Sequence, residues 1–343
     1  MSDDATRAGT GCSVLPVGTA ASTDALPRPA LMVVVDTEEE FNWNAPFDRS
    51  NRSVGHMASI ERLQQVCERH GVRPTYVIDH PIADDPVGYE PVRRLVEDGR
   101  AVLGAHLHPW VTPPFDEPVD GFHSYHGNLA PELEDAKLDA LVQRIEESIG
   151  QRPRIFKAGR SGLGAHTFEA LQRLGFTVDV SPAPPMDYRS DGGPDYSSFD
   201  VSPFWCGELL CMPGSGAFVG MLSGLAPATL QRLIDQPVAL TLKLGGILSR
   251  LGCISRLRLT PEGFSLDEMV SLSRALLHRG QRMLHVSVHS PSVVAGNTPY
   301  ARSEAECDAL LDRLDRYLAI AVGDLGAVGS DPLSVRSQLL ATR

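Results

Sequence analysis

Ala101-Val102-Leu103-Gly104-Ala105-His106-Leu107-His108-Pro109-Trp110 is an apolar run that gains two histidines at its end and is then closed by proline. It reads as a buried strand. Residues two apart on a strand share a face, so His106 and His108 can reach one ion. Far upstream a second run, Ala30-Leu31-Met32-Val33-Val34-Val35, ends in Asp36-Thr37-Glu38. The same period sets those two carboxylates side by side at a strand's exit. Two imidazoles and two carboxylates, each pair carried on a buried strand, point to a metal site with an adjacent general base.

Composition narrows the setting. The chain has 343 residues, 42% hydrophobic and 22% charged, with a formal net charge of −12. That is enough for a sizeable core, as two domains or one large α/β barrel. Acidic residues are scattered and no Lys/Arg stripe forms, so nucleic acid is not an expected partner. The six cysteines (Cys12, Cys67, Cys206, Cys211, Cys253 and Cys307) show no Cys-x-x-Cys spacing and read as free thiols of a reducing compartment. Residues 1–29 lack the basic start and continuous apolar segment of a secretory signal, so they read as a disordered N-terminal tail and the protein as cytoplasmic. No transmembrane segment is expected, because Lys243 and Arg250 interrupt the nearest apolar run. Residues 242–259, apolar with Lys243, Arg250, Arg256 and Arg258, read as a packed helix, with a membrane-surface segment as the alternative.

Strand-like runs alternate with helical patterns, as in parallel βαβ units. Strands are expected at 30–35, 74–78, 101–108, 154–156, 176–180, 208–212 and 283–288. Helices are expected at 56–70, 91–97, 138–149, 168–174, 266–277 and 305–320. Residues 113–128 form a polar, aromatic loop too long for an ordinary connector. The fold class is α/β: a single distorted (β/α) barrel of seven or eight parallel strands over residues 30–322, with 323–343 as a C-terminal extension. Chemical groups of such barrels collect at the carboxyl ends of the strands. Asp36, Glu38, His106, His108, Asp179 and His289 all fall there.

In that order these residues resemble the polysaccharide deacetylase (NodB-homology) family, carbohydrate esterase family four. The likeness rests on Asp36-Thr37-Glu38, His106-Leu107-His108-Pro109, Arg160 in Ala-Gly-Arg-Ser-Gly, Asp179 in Val-Asp-Val-Ser, and His289 in Val-Ser-Val-His-Ser-Pro. Asp-Thr-Glu-Glu-Glu-Phe, His-Leu-His-Pro-Trp and Gly-Asn-Thr-Pro-Tyr look more narrowly like a bacterial subgroup linked to lipopolysaccharide biosynthesis. Two features depart from the family pattern. The acids here are separated by Thr37 rather than adjacent, and the histidines are two apart rather than four.

The resemblance implies a metal-dependent hydrolase of carbon–nitrogen, non-peptide bonds. It would remove an acetyl group, N-acetyl before O-acetyl, from a saccharide or saccharide precursor. Glu38, His106 and His108 would hold a divalent ion, zinc first, with nickel, cobalt, iron or manganese as alternatives. Asp36 would be the base, with the reversed assignment to Glu38 left open. Arg160 would orient Asp36, and Lys157 is a weaker candidate for that duty. His289 would protonate the departing amine and Asp179 would tune it. His123 and His126 are fallback ligands, and Trp43, Trp110, Trp205, Tyr125 and Tyr188 are candidate sugar-stacking rings. The other readings are a catalytically inactive glycan-binding protein on the same scaffold and a metal-free glycoside hydrolase with two carboxylates. Oligomeric state is not legible.

Overall fold

Val33, Val34 and Val35 are buried on both sides of the strand that carries them, which is the environment of a parallel sheet covered on each face. The structure, a computed structural model, describes residues 15, 18–221, 254–341 and 343. Its strands are β1 (Thr19–Ala20), β2 (Ala30–Thr37), β3 (Thr75–Ile78), β4 (Val102–Leu107), β5 (Ile155–Ala158) and β6 (Val178–Asp179). They continue with β7 (Phe204–Cys206), β8 (Leu209–Cys211), β9 (Gly216–Val219), β10 (Ser255–Arg258), β11 (Met283–His289) and β12 (Val328–Gly329). The main sheet runs β1-β7-β8-β6-β5-β4-β3-β2-β11. From β8 to β11 every pairing is parallel. The antiparallel β9–β10 pair stands between β8 and β11, where Ser287 N donates to Leu259 O at 3.0 Å and His285 N to Ser215 Oγ at 2.9 Å. The result is an α/β barrel whose ladder stays open at that one seam.

Strand parity sorts the core into two shells. Leu31, Val33, Val35, Leu103, Ala105 and Leu107 face outward into the larger cluster, against the helices. Ala30, Met32, Val34, Val102, Ile155 and Val178 face inward. Continuing the inward parity of β2, β4, β5 and β11 by one step brings Asp36, His106, Lys157 and His289 above that inner apolar plug. Gly104 lies on the same face, and a Cβ there would stand 2.6 Å from Val77 Cγ1.

The helices are α1 (Glu61–Arg69), α2 (His80–Asp84), α3 (Pro86–Glu97), α4 (Pro131–Ile149), α5 (Thr167–Arg173), α6 (Leu266–His278), α7 (Glu304–Gly323) and α8 (Pro332–Leu340). A helix was expected only from Pro91. The structure starts two of them earlier, because Asp79 and Asp85 each cap a helix N-terminus just ahead of a proline. The 56–70 helix divides into a 3-10 turn (Gly55–Ser59) and α1.

Both flanks of the barrel differ from the sequence reading. Of the expected tail, Thr19–Ala20 pair with Phe204 and Trp205, and Ala21 and Leu26 are buried in the inner cluster. Residues 1–14 lie outside the described residues. The expected extension completes the barrel: β12 pairs with Ala30 and Leu31 below β3, while Val335 and Leu339 of α8 pack among Ala30, Met32 and Val34. Neither flank carries a strand-length apolar run, so nothing local marked them. Of residues 242–259, those up to 253 lie outside the described residues, and Ser255–Arg258 form β10 rather than a packed helix. Cys67, Cys206, Cys211 and Cys307 are free thiols. Among the described residues no helix is long and apolar enough to cross a membrane.

If α8 closes the barrel floor, Leu339→Ala removes a buried side chain and costs about 2–4 kcal/mol. Urea unfolding measures this; an unchanged midpoint would make α8 an appendage.

Candidate metal centre

Glu38 follows the end of β2, and His106 and His108 lie at the end of β4, all three buried. Glu38 Oε2 stands 3.4 Å from Nε2 of each histidine. The three ligand atoms form a cluster able to hold one metal ion. Glu38 Oε1 is buried without any hydrogen-bond partner. A buried orphan oxygen is costly unless something absent from the protein satisfies it.

Each imidazole is held from behind. His106 Nδ1 donates to Lys157 O at 3.0 Å, and His108 Nδ1 donates to Glu39 Oε2 at 2.8 Å. The neutral ring then presents the lone pair of Nε2 inward, as a metal ligand requires. Burial keeps both rings neutral by lowering their pKa values, His108 the more strongly. Glu39 is fixed in turn: Trp110 Nε1 donates to its Oε1 at 2.8 Å, and its own N–H donates to Asp79 Oδ2 at 2.7 Å. Glu39 is itself completely buried. Burial raises the pKa of Glu38 well above the usual range, and the charges of Asp36, Glu39 and Asp79 add to the effect. A dication would reverse that cost. By donor chemistry and the orphan oxygen, these residues fit a divalent ion.

Asp36 points into the same cleft with a different partner. Lys157 Nζ donates to both of its carboxylate oxygens, at 2.6 and 2.8 Å, and to Ser287 Oγ at 2.6 Å. Burial alone would raise the Asp36 pKa, but Lys157, His106 and His289 outweigh it and hold the carboxyl well below the usual range. Both oxygens are thus engaged, whereas Glu38 has one free.

The expected contact between Arg160 and Asp36 does not form. Arg160 follows β5 in a left-handed turn (φ 53°) that turns its side chain toward the loops. There it pairs with Asp191, donates to Ser124 Oγ at 2.6 Å, and lies over the Tyr125 ring with 4.1 Å to its centroid. Lys157, inside the strand on the inward parity, takes its place.

His289 Nε2 lies 3.6 Å from Asp36 Oδ2, and Nδ1 meets Glu262 Oε2 at 2.6 Å. Ser292 Oγ and the His289 N–H also donate to Glu262. Burial lowers the His289 pKa, but Glu262, Glu38 and Asp36 outweigh it and raise it to about 9. Asp179, expected beside His289, faces the opposite side of the sheet. Its Oδ1 accepts from Ser181, whose Oγ accepts from Ala158 N at 2.7 Å, so it braces the end of β5. Burial pushes it up to about 7. Glu262 was missed because it sits in a short loop after β10 with no periodic pattern around it. His285 shares the inward face with Ser287 and His289 and is buried.

Asp36, Glu38, His106, His108, Lys157 and His289 line a cleft of about 360 Å³, walled by Phe41, Trp43, Phe47, Trp110, Tyr125, Tyr188 and Tyr300. Trp43 meets His289 edge-on at 5.0 Å. Trp205 lies elsewhere, paired in β7 with β1. Of the fallback ligands, His123 pairs with Asp120 and His126 with Glu134. The 113–128 loop is pinned by buried Lys137, which donates to the carbonyls of Pro109, Thr112 and Pro114.

No protein-family profile and no curated protein sequence matches the chain. Solved structures do. A protein of Mycobacterium smegmatis, provisionally named a polysaccharide deacetylase, superposes with a TM-score of 0.51 at 15% identity, covering 96% of each chain. The peptidoglycan deacetylase PdaC of Bacillus subtilis gives 0.44 at 9% identity, over 92% of this chain and 94% of its own. A family 4 carbohydrate esterase of Streptomyces lividans gives 0.40 at 13%, over 88% and 92%. The likeness to the first is one of fold.

Two substitutions test the centre without touching a ligand. A Cβ at Gly159 would collide with His108 Cδ2 and Leu107 O, so Gly159→Ala displaces the ring. Glu39→Gln removes the carboxylate behind it. Each is expected to weaken zinc binding by about 10- to 100-fold in a chelator competition; unchanged affinity would place the ion elsewhere.

Proposed function

We propose that the protein is a metal-dependent hydrolase that removes an acetyl group from an amino group of a saccharide or saccharide precursor. The observation that carries this reading is the convergence of Glu38, His106 and His108, with one carboxylate oxygen unsatisfied, between Asp36 paired with Lys157 and His289 paired with Glu262. The fold of the Mycobacterium smegmatis protein supports it.

Glu38, His106 and His108 would hold the ion, with zinc suited to the two imidazoles and one carboxylate. When bound, it supplies Lewis acidity to the acyl oxygen and makes water acidic enough to ionise near neutrality. Asp36, kept ionised by Lys157, accepts the water proton as the oxygen–carbon bond forms. His289 Nε2, on the adjacent strand, gives a proton to the nitrogen as the carbon–nitrogen bond breaks. Glu262, accepting from Nδ1, keeps His289 charged and orients its ring. The aromatic walls exclude water and offer flat faces for a sugar ring. The lipopolysaccharide-linked subgroup belongs to this proposal, carried by the motifs around Glu38, His108 and His289. An inactive binding protein has less support, because a base, an acid and their partners are all in place.

The test is acetate release from N-acetylated sugars, sugar nucleotides and oligosaccharides by metal-loaded protein. Asp36→Asn is expected to lower the rate by about 100-fold or more, and Glu38→Ala and His106→Ala to lose bound metal. Full acetate release by all three variants would defeat the reading. His289 must be protonated to act, so activity falls as pH rises through its pKa. Glu262→Gln removes a charge that raises that pKa and therefore moves the alkaline limb of the pH–rate profile to lower pH. A limb that stays in place would assign it to another group.

A further inference from the structure

We propose that the cleft takes a saccharide bearing an anionic group, a phosphate or a carboxylate, and binds that group through the guanidinium of Arg258. This rests on the saccharide reading above and names the class of substrate for the same site.

Arg258 ends β10, in the two-stranded pair that fills the seam between β8 and β11. It lines the main cleft together with Glu38, His106 and His289. It also lines the narrower pocket behind, with Lys157, Ser161, Thr260 and Ser287. The other cations of the cleft are matched by protein groups. Lys157 has Asp36 and Ser287, Arg160 has Asp191 and Ser124, and His289 has Glu262. Arg258 is half-buried, and among the described residues its guanidinium has no hydrogen bond, ion pair or ring contact. The two carboxylates that line the cleft are already committed, Asp36 to Lys157 and Glu38 to the histidine pair. A half-buried guanidinium keeps its charge and its planar fork of donors, which matches a phosphate or carboxylate bidentately. In a chain of net charge −12, an unmatched cation inside the cleft discriminates for an acidic ligand, because a neutral sugar leaves it without a counter-charge.

Three probes test this on the zinc-loaded full chain by calorimetry: N-acetylglucosamine, its 1-phosphate, and N-acetylglucosaminuronic acid. Wild type is expected to bind at least one anionic probe about tenfold or more tighter than the neutral sugar, as one charge-assisted contact provides. In Arg258→Gln that ratio falls toward one; in Arg258→Lys, which keeps the charge but loses the fork, it is intermediate. Preference for the 1-phosphate assigns a phosphoryl ligand and preference for the uronic acid a carboxylate, and either supports the proposal. Equal affinities, no binding of any probe, or a preference that survives Arg258→Gln overturns it; survival would place the anion on the zinc. Acetate release from the same probes is read in parallel. Selective binding without acetate overturns the hydrolase reading and leaves the anion site standing. Equal acetate release from all three without selective binding does the reverse.

Discussion

The parallel pairing of β2 with β11 is the constraint on which the rest of the site depends. It sets Asp36 directly against His289 at the last rung of the ladder. One register further round the barrel, β4 and β5 set His106 against Lys157. A slip by one residue in either pair would turn the polar side chain of the slipped strand into the helical layer. Asp36, Lys157, His289 and His106 are therefore placed by backbone hydrogen bonds and by the valines and leucines on the outward parity, rather than by contacts among themselves. That is why a mostly apolar barrel can present so polar a mouth.

Charge balance is the second constraint. Asp36, Glu38, Glu39 and Asp79 are all buried within a few residues of one another in the fold. Lys157 neutralises the first, while Glu39 and Asp79 are satisfied by N–H donors from Trp110, Glu39 and Ile82. Glu38 alone keeps an unsatisfied oxygen. Burying a carboxylate in that condition is costly, and a dication between it and two neutral imidazoles removes the cost. The same neighbourhood is braced from beneath: His56 Nε2 meets Ser290 Oγ at 2.8 Å, and that hydroxyl accepts from Glu38 N. A metal ion held here would therefore also stabilise this corner.

Much of this was legible in the chain itself. The valine run before Asp36 and the apolar run before His106 each gave the strand, its burial and the parity of its polar end. Those are local signals with a period of two, and the structure kept them. Lys157 obeys the same parity and could have been preferred over Arg160 on that ground. Arg160 lies beyond the strand, where parity no longer applies. Asp179 failed for a related reason: with Val178 and Val180 apolar on either side, its neighbours already claimed the inner face.

What the sequence by itself determined was the α/β barrel, the strands that carry chemistry and the pairing of two histidines with two acids, because alternation along a strand is written residue by residue. What only the tertiary structure decided was which distant groups complete them. Glu262 reaches His289 from a loop without periodicity, Glu39 turns inward to hold His108, α8 packs on the inner core, and Arg258 arrives on a two-stranded pair that fills the seam. Each depends on where a connection returns across the barrel, and that is settled by packing between segments far apart in the chain, which no local pattern encodes.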